Sequence, residues 1–180
     1  MVRIVRPPEL YIPEDPDAIK VFLAGGLQKC NWQDACLEYF TKRYTWEEDV
    51  IIYTPYREDF DVNDPNMEVE QITWEFNYLT NLAKDPKYIF SMYFDHSESQ
   101  QPICFYELGR YLPMVHPYKC VITTHPFFSR RNDVVIQTAL ATDNRVMVAS
   151  GSPEHHAELI SHRIAELNMV NPVPIAFNNL

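Results

Sequence analysis

In the segment Pro102-Ile-Cys-Phe-Tyr-Glu-Leu-Gly109, Glu107 is the one carboxylate in an otherwise apolar run. Pro102 is tolerated in the first turn of a helix, so Glu107 lies near the positive end of a helix dipole, which helps a carboxylate to stay ionised. Carboxylates are seldom buried without a partner or a task. Glu107 is therefore either a structural group that accepts backbone N–H bonds, or a reactive one that stabilises positive charge and attacks an electrophilic carbon. A second constellation is Gln71-Ile-Thr-Trp-Glu75. Residues four apart on a helix share a face, so Gln71 and Glu75 act together with Trp74 beside them, and an amide, a carboxylate and an indole can hold a polar ring compound. Asp59, Asp61 and Asp64 share a loop with Arg57; solvated loop charge is their plainer reading. Gly25-Gly26 lets a backbone approach a ligand closely or simply makes a tight turn, and it lacks the spaced glycines of a dinucleotide or phosphate loop.

These residues are positioned by an alternation of strands and helices. Ile19–Ala24 is a short apolar run closed by glycines, the pattern of a buried strand entering a loop. Asn31 can cap a helix carrying Trp32, Ala35, Leu37, Tyr39 and Phe40, and a second strand spans Asp49–Thr54. A helix over Met67–Leu82 is expected from apolar Met67, Val69, Ile72, Phe76, Leu79 and Leu82. The strand Tyr88–Phe94, the helix from Pro102 to Leu112 and the strand Cys120–Thr123 follow. Asp133–Ala141 reads as a helix, Arg145–Ala149 as a fifth strand and Pro153–Leu167 as a last helix. Such alternation predicts an α/β fold, a doubly wound, flavodoxin-like five-stranded parallel sheet with helices on both faces. The ligand crevice then lies at the carboxyl ends of the strands. Residues 1–18, with Pro7, Pro8, Pro13 and Pro16, read as an extended arm leading into a single domain over 19–180.

Composition narrows the function. The 180 residues carry 15 basic against 25 acidic side chains, a formal charge of −10, which disfavours a phosphate backbone or an anionic membrane as partner. No apolar run reaches the roughly 20 residues that span a bilayer, and the N-terminus lacks the apolar core of a signal peptide; a cytoplasmic protein is expected. Cys30, Cys36, Cys104 and Cys120 form no C-x-x-C pair and read as buried thiols. His155-His156 is the close histidine pair, and adjacent helix positions do not share a face. Neither a metal nor a cofactor is expected.

The blocks Val21-Phe-Leu-Ala-Gly-Gly26, Tyr53-Thr-Pro-Tyr-Arg-Glu-Asp59, Gln71-Ile-Thr-Trp-Glu75 and Tyr106-Glu-Leu-Gly109, in this order, resemble the nucleoside 2-deoxyribosyltransferases, especially their divergent relatives. Arg130-Arg-Asn-Asp-Val134 is similar to the segment after their fourth strand, so the resemblance spans roughly residues 19 to 150. Three departures bear on substrate identity. They are the proline-rich arm, a longer stretch before Glu107, and Leu27 where many relatives have a serine. The resemblance implies that Glu107 is the nucleophile and that Glu75 and Asp95 match acidic groups near the sugar 5'-hydroxyl or the departing base. Gly25, Gly26, Trp32, Tyr56, Asp59, Gln71, Trp74, Tyr93 and Gly109 are the candidate substrate-binding residues; each of the four aromatics is alternatively simple core.

The expected activity is transfer of deoxyribose from a 2'-deoxynucleoside to a free nucleobase through a glycosyl-glutamate. An N-glycosidase using water, or a non-catalytic nucleotide-binding module, are the alternatives. The acidic candidates Asp59, Asp61, Glu75 and Asp95 favour neutral nucleosides over 5'-monophosphates, with Glu75 accepting from the 5'-hydroxyl. Members similar to this chain are oligomers, and a homodimer or higher homo-oligomer is expected, with Tyr111, Leu112 and Met114 as surface residues.

Overall fold

The computed structural model describes residues 2–27, 32–43, 49–61, 63–97 and 100–169. Strands β1 (Val2–Val5), β2 (Ile19–Gly25), β3 (Val50–Tyr53), β4 (Tyr88–Phe94), β5 (Cys120–Thr124) and β6 (Val148–Ser150) alternate from β2 onward with helices α1 (Trp32–Arg43), α2 (Pro65–Leu82), α3 (Pro102–Tyr111), α4 (Arg131–Ala141) and α5 (Pro153–Met169). The sheet is entirely parallel, in the order β1-β3-β2-β4-β5-β6. Without β1 this is the flavodoxin-like order. The sheet has six strands, not the expected five. Val2–Val5, read as part of an arm, adds an edge strand that pairs Val2 with Val50 and Val5 with Tyr53. Val2, Ile4 and Val5 are β-branched and suit a strand, but the run is short and leads directly into the prolines that mark an arm; the open edge of β3 is what it pairs with.

Every residue of β2 and β4 is buried, which is why both read as continuous apolar runs rather than as alternating ones. The core lies in two layers. Even-numbered strand residues such as Phe22, Phe90 and Phe94 pack with Trp74 and Tyr78 of α2 and Leu108 of α3. On the opposite face Val21, Leu23 and Tyr93 pack with Trp32 and Phe40 of α1 and Ile160 and Ile164 of α5.

Asp64 caps α2, its Oδ1 accepting from Asn66 N at 2.9 Å, and Pro65 occupies the first turn. The cap expected from Asn31 on α1 lies outside the described residues, as does Cys30. The inward face of α2 differs from the periodicity reading. Val69, Ile72 and Phe76 are exposed, while Gln71, Trp74, Tyr78 and Leu79 are buried. The amphipathic pattern was ambiguous because both stripes of α2 contain large apolar side chains, and the polar or aromatic tips of the inner stripe find partners in the arm. Trp74 Nε1 donates to Glu9 O at 2.8 Å, and Tyr11 N donates to Tyr78 Oη at 2.7 Å. Tyr111 and Leu112 are likewise buried rather than exposed, and of the expected surface trio Met114 remains accessible. No described helix is long and apolar enough to cross a membrane.

Candidate active site

Helices α2 and α3 lie on the same face of the sheet and bring Gln71, Glu75 and Glu107 into one hydrogen-bonded chain. Gln71 is buried. Its Nε2 donates to Pro55 O at 2.7 Å and to Glu75 Oε1 at 2.6 Å. Glu75 in turn shares a hydrogen bond with Glu107 across the helix interface. Local sequence explains the assembly. Gln71 and Glu75 are one helical turn apart on α2, the turn after β3 presents the Pro55 carbonyl, and α3 starts at Pro102 so that Glu107 falls on its second turn.

Glu75 and Glu107 are half-buried as residues, and their carboxyls lose much of their hydration. Burial is the main cause that pushes Glu75 above the ordinary carboxylate range, and the hydrogen bonds with Gln71 and Glu107 pull it back. Burial also raises Glu107, and there the charge of Glu75 and the hydrogen bond with it push the same way. Two carboxyls in contact cannot both ionise cheaply, so the pair holds one proton into the neutral range. Tyr88 of β4 also senses Glu107, and its fully buried hydroxyl has no hydrogen-bond partner. The set provides a potential nucleophile, a proton store and an acceptor for a sugar hydroxyl.

The remaining expected residues are held by other partners. Asp95 follows β4 and organises the loop into α3: its Oδ1 accepts from Ser97 N at 2.7 Å, and its carbonyl accepts from Gln101 Nε2 at 2.6 Å. Asp59 is exposed and bound through both oxygens to Arg57, whose guanidinium also donates to Glu70. Trp32, Trp74 and Tyr93 are at most 3% exposed. They are packed core, not walls of an opening. Trp32 Nε1 donates to Gly26 O at 2.9 Å, and its ring meets those of Tyr93 and His156. Tyr56 is the half-buried member of the aromatic candidates. Gly25 is required by packing, because a Cβ there would lie 2.4 Å from Tyr93 O and 2.6 Å from the Trp32 ring. Gly109 is exposed, with open space where a side chain would be.

Two histidines were not singled out by sequence. His96 and His125 follow the adjacent strands β4 and β5 and stack at 3.8 Å between ring centroids. His96 Nδ1 lies 3.6 Å from Asp95 Oδ1, and His125 Nδ1 accepts from Phe127 N at 3.2 Å. Their positions immediately after parallel strands were the available signal. Among the described residues no cluster of three or more metal-ligating side chains occurs.

A family model described as nucleoside 2-deoxyribosyltransferase like matches residues 18–125, more than half of the chain, and the matched span contains Gln71, Glu75, Asp95 and Glu107. No curated protein matches the chain.

Proposed function

Since the chain belongs to the nucleoside 2-deoxyribosyltransferase-like family, we propose that it cleaves the N-glycosidic bond of 2'-deoxynucleosides with Glu107 as nucleophile and passes the deoxyribosyl group to another nucleobase. The observation that supports this most is the half-buried Glu75–Glu107 pair held between α2 and α3. A Glu107 oxygen attacks C1' of the sugar as the bond from C1' to the base nitrogen breaks, and the departing base takes up a proton. An incoming base then attacks C1' through its own nitrogen, loses a proton and frees the Glu107 carboxylate. Positive charge builds on the sugar ring in both steps, and a carboxylate beneath the anomeric carbon stabilises it. In glycosidases the acid and the nucleophile flank the scissile bond some ångströms apart; here the two carboxyls touch. Glu75 therefore serves as partner to the nucleophile and acceptor for the 5'-hydroxyl, and Asp95 takes the second acidic role, nearer the base.

Neutral deoxynucleosides remain the preferred substrate class. Asp59 no longer supports that preference, since Arg57 matches its charge, so the repulsion of a 5'-phosphate rests on Glu75, Glu107 and Asp95. Self-association also stays part of the reading. Its surface moves from Tyr111 and Leu112 to the outward apolar residues Val69, Ile72, Phe76, Ile103 and Tyr106 of α2 and α3. Light scattering that gives only the 21.2 kDa monomer counts against it. The central test is incubation with a panel of deoxynucleosides, ribonucleosides and 5'-monophosphates, with and without an added base, followed by chromatography. Base exchange supports transfer, and release without exchange supports hydrolysis. A 2-deoxy-2-fluoro nucleoside should add its sugar mass at Glu107, because fluorine slows breakdown of the glycosyl ester; labelling elsewhere moves the nucleophile.

A further inference from the structure

Gln71 makes two strong hydrogen bonds and leaves one atom stranded. Its Nε2 is shared between the Pro55 carbonyl and Glu75 Oε1, while its Oε1 is buried with no donor. The orientation of the amide is dictated by chemistry, since both neighbours of Nε2 are acceptors and an oxygen in that place would repel them. Buried polar atoms without partners are uncommon in native proteins and mark positions held for a purpose. Here the amide gives up satisfaction of its oxygen to keep a donor on Glu75.

Resting on the reading of Glu107 as nucleophile, we propose that Gln71 is a positioning residue that fixes Glu75 as the charged member of the pair and so leaves the shared proton on Glu107 in the unliganded protein. A hydrogen bond to the charged form of a carboxyl favours that form. Glu75 receives one from Gln71, whereas Glu107 meets the charge of Glu75 and the hydrogen bond shared with it, both of which favour its protonated form. Arg110, the cation on the same helix, is engaged by aromatic side chains: its guanidinium lies 4.5 Å from the Phe76 ring centroid and donates to Tyr106 Oη. The nucleophile is thus masked at rest. It becomes available when its proton leaves the pair, because a sugar hydroxyl that donates to Glu75 further favours the charged form there. Gln71 therefore sets the pH at which Glu107 can attack.

The test follows the two carboxyl carbons directly, in protein labelled with ¹³C at the glutamate side chains, with the Glu75 and Glu107 signals assigned from Glu75→Gln and Glu107→Gln. In the wild type Glu75 titrates first on raising the pH and Glu107 last. In Gln71→Leu the order reverses and the Glu107 midpoint falls by about one pH unit or more, the size of a like-charge effect at this range. Gln71→Asn, which keeps the amide but shortens its reach, gives the same direction and serves if the leucine variant does not fold. The low-pH limb of kcat/KM moves down in parallel with the Glu107 midpoint. An unchanged Glu107 midpoint in a folded variant overturns the proposal, as does a wild type in which Glu75 keeps the proton. The titration does not depend on turnover: a reversal seen in a protein that cleaves no nucleoside defeats the proposed function and leaves the proton assignment standing.

Discussion

On the α1/α5 face of the sheet His156 is fully buried, with Nδ1 at 2.9 Å from Thr123 Oγ1 and its ring against Trp32 and Tyr93; on the α2/α3 face Glu75 and Glu107 are only half-buried and bonded to each other. Burial acts on both sites in the same sense and against charge. It lowers His156 to about 3, with a smaller contribution from His155, so that the imidazole is neutral at any physiological pH. It raises both glutamates, yet there a single proton has two places to sit, and both residues keep some exposure. A buried titratable group by itself thus indicates little. What separates a packed group from a reactive one is the combination of lost hydration, access and a partner that shares the proton.

Four outcomes test this contrast. The largest effect is expected for Glu107→Gln, which should lower glycosidic cleavage by on the order of a thousandfold or more while the circular dichroism stays native; turnover near wild type would remove the α2/α3 face as the site. Trp32→Ala on the opposite face should cost about 3–5 kcal/mol of stability in urea unfolding, because a large side chain leaves a cavity beside Tyr93 and Gly25. Its remaining folded fraction should keep its pH–rate profile, and a displaced profile would mean that the two faces are coupled.

A smaller effect concerns stability against pH. A carboxyl raised in the folded state holds a proton that the unfolded chain has released, so stability falls as pH rises from the ordinary carboxylate range to the raised value. Glu107→Gln removes that loss. The variant should gain about 1–2 kcal/mol over the wild type at pH 8, a figure discounted for partial exposure, and little at pH 4. Equal differences at the two pH values would show that the pair is not proton-sharing. The smallest effect is expected for Asp59→Asn, where the exposed carboxylate of an ion pair is lost beside a guanidinium still held by Glu70; kcat/KM should stay unchanged, and a large drop would return Asp59 to the substrate.

The parts of the site that could be read from sequence were those encoded by short-range spacing. Gln71 and Glu75 must share a helix face, and Glu107 must fall early in a helix begun at Pro102. The histidine stack has no local signature, because His96 and His125 are 29 positions apart and meet only where β4 and β5 pair, a result of register rather than of local pattern. Trp32, Trp74 and Tyr93 were ambiguous for a related reason. An aromatic side chain has the same sequence signature in a core and in a pocket, and only the packing of neighbouring layers tells which.

By itself the sequence determined the alternation of strands and helices, the buried character of β2 and β4, and the family, since each depends on residues adjacent in the chain or on the order of short blocks. Tertiary structure alone decided three further matters. One was the sixth strand, which forms because β3 leaves its hydrogen-bonding edge open to Val2–Val5. Another was the face of α2 turned inward, fixed by the carbonyls of Glu9 and Pro55 that accept from Trp74 and Gln71. The last was the contact between Glu75 and Glu107, side chains 32 positions apart, whose shared proton arises only when two helices exclude water from both carboxyls at once.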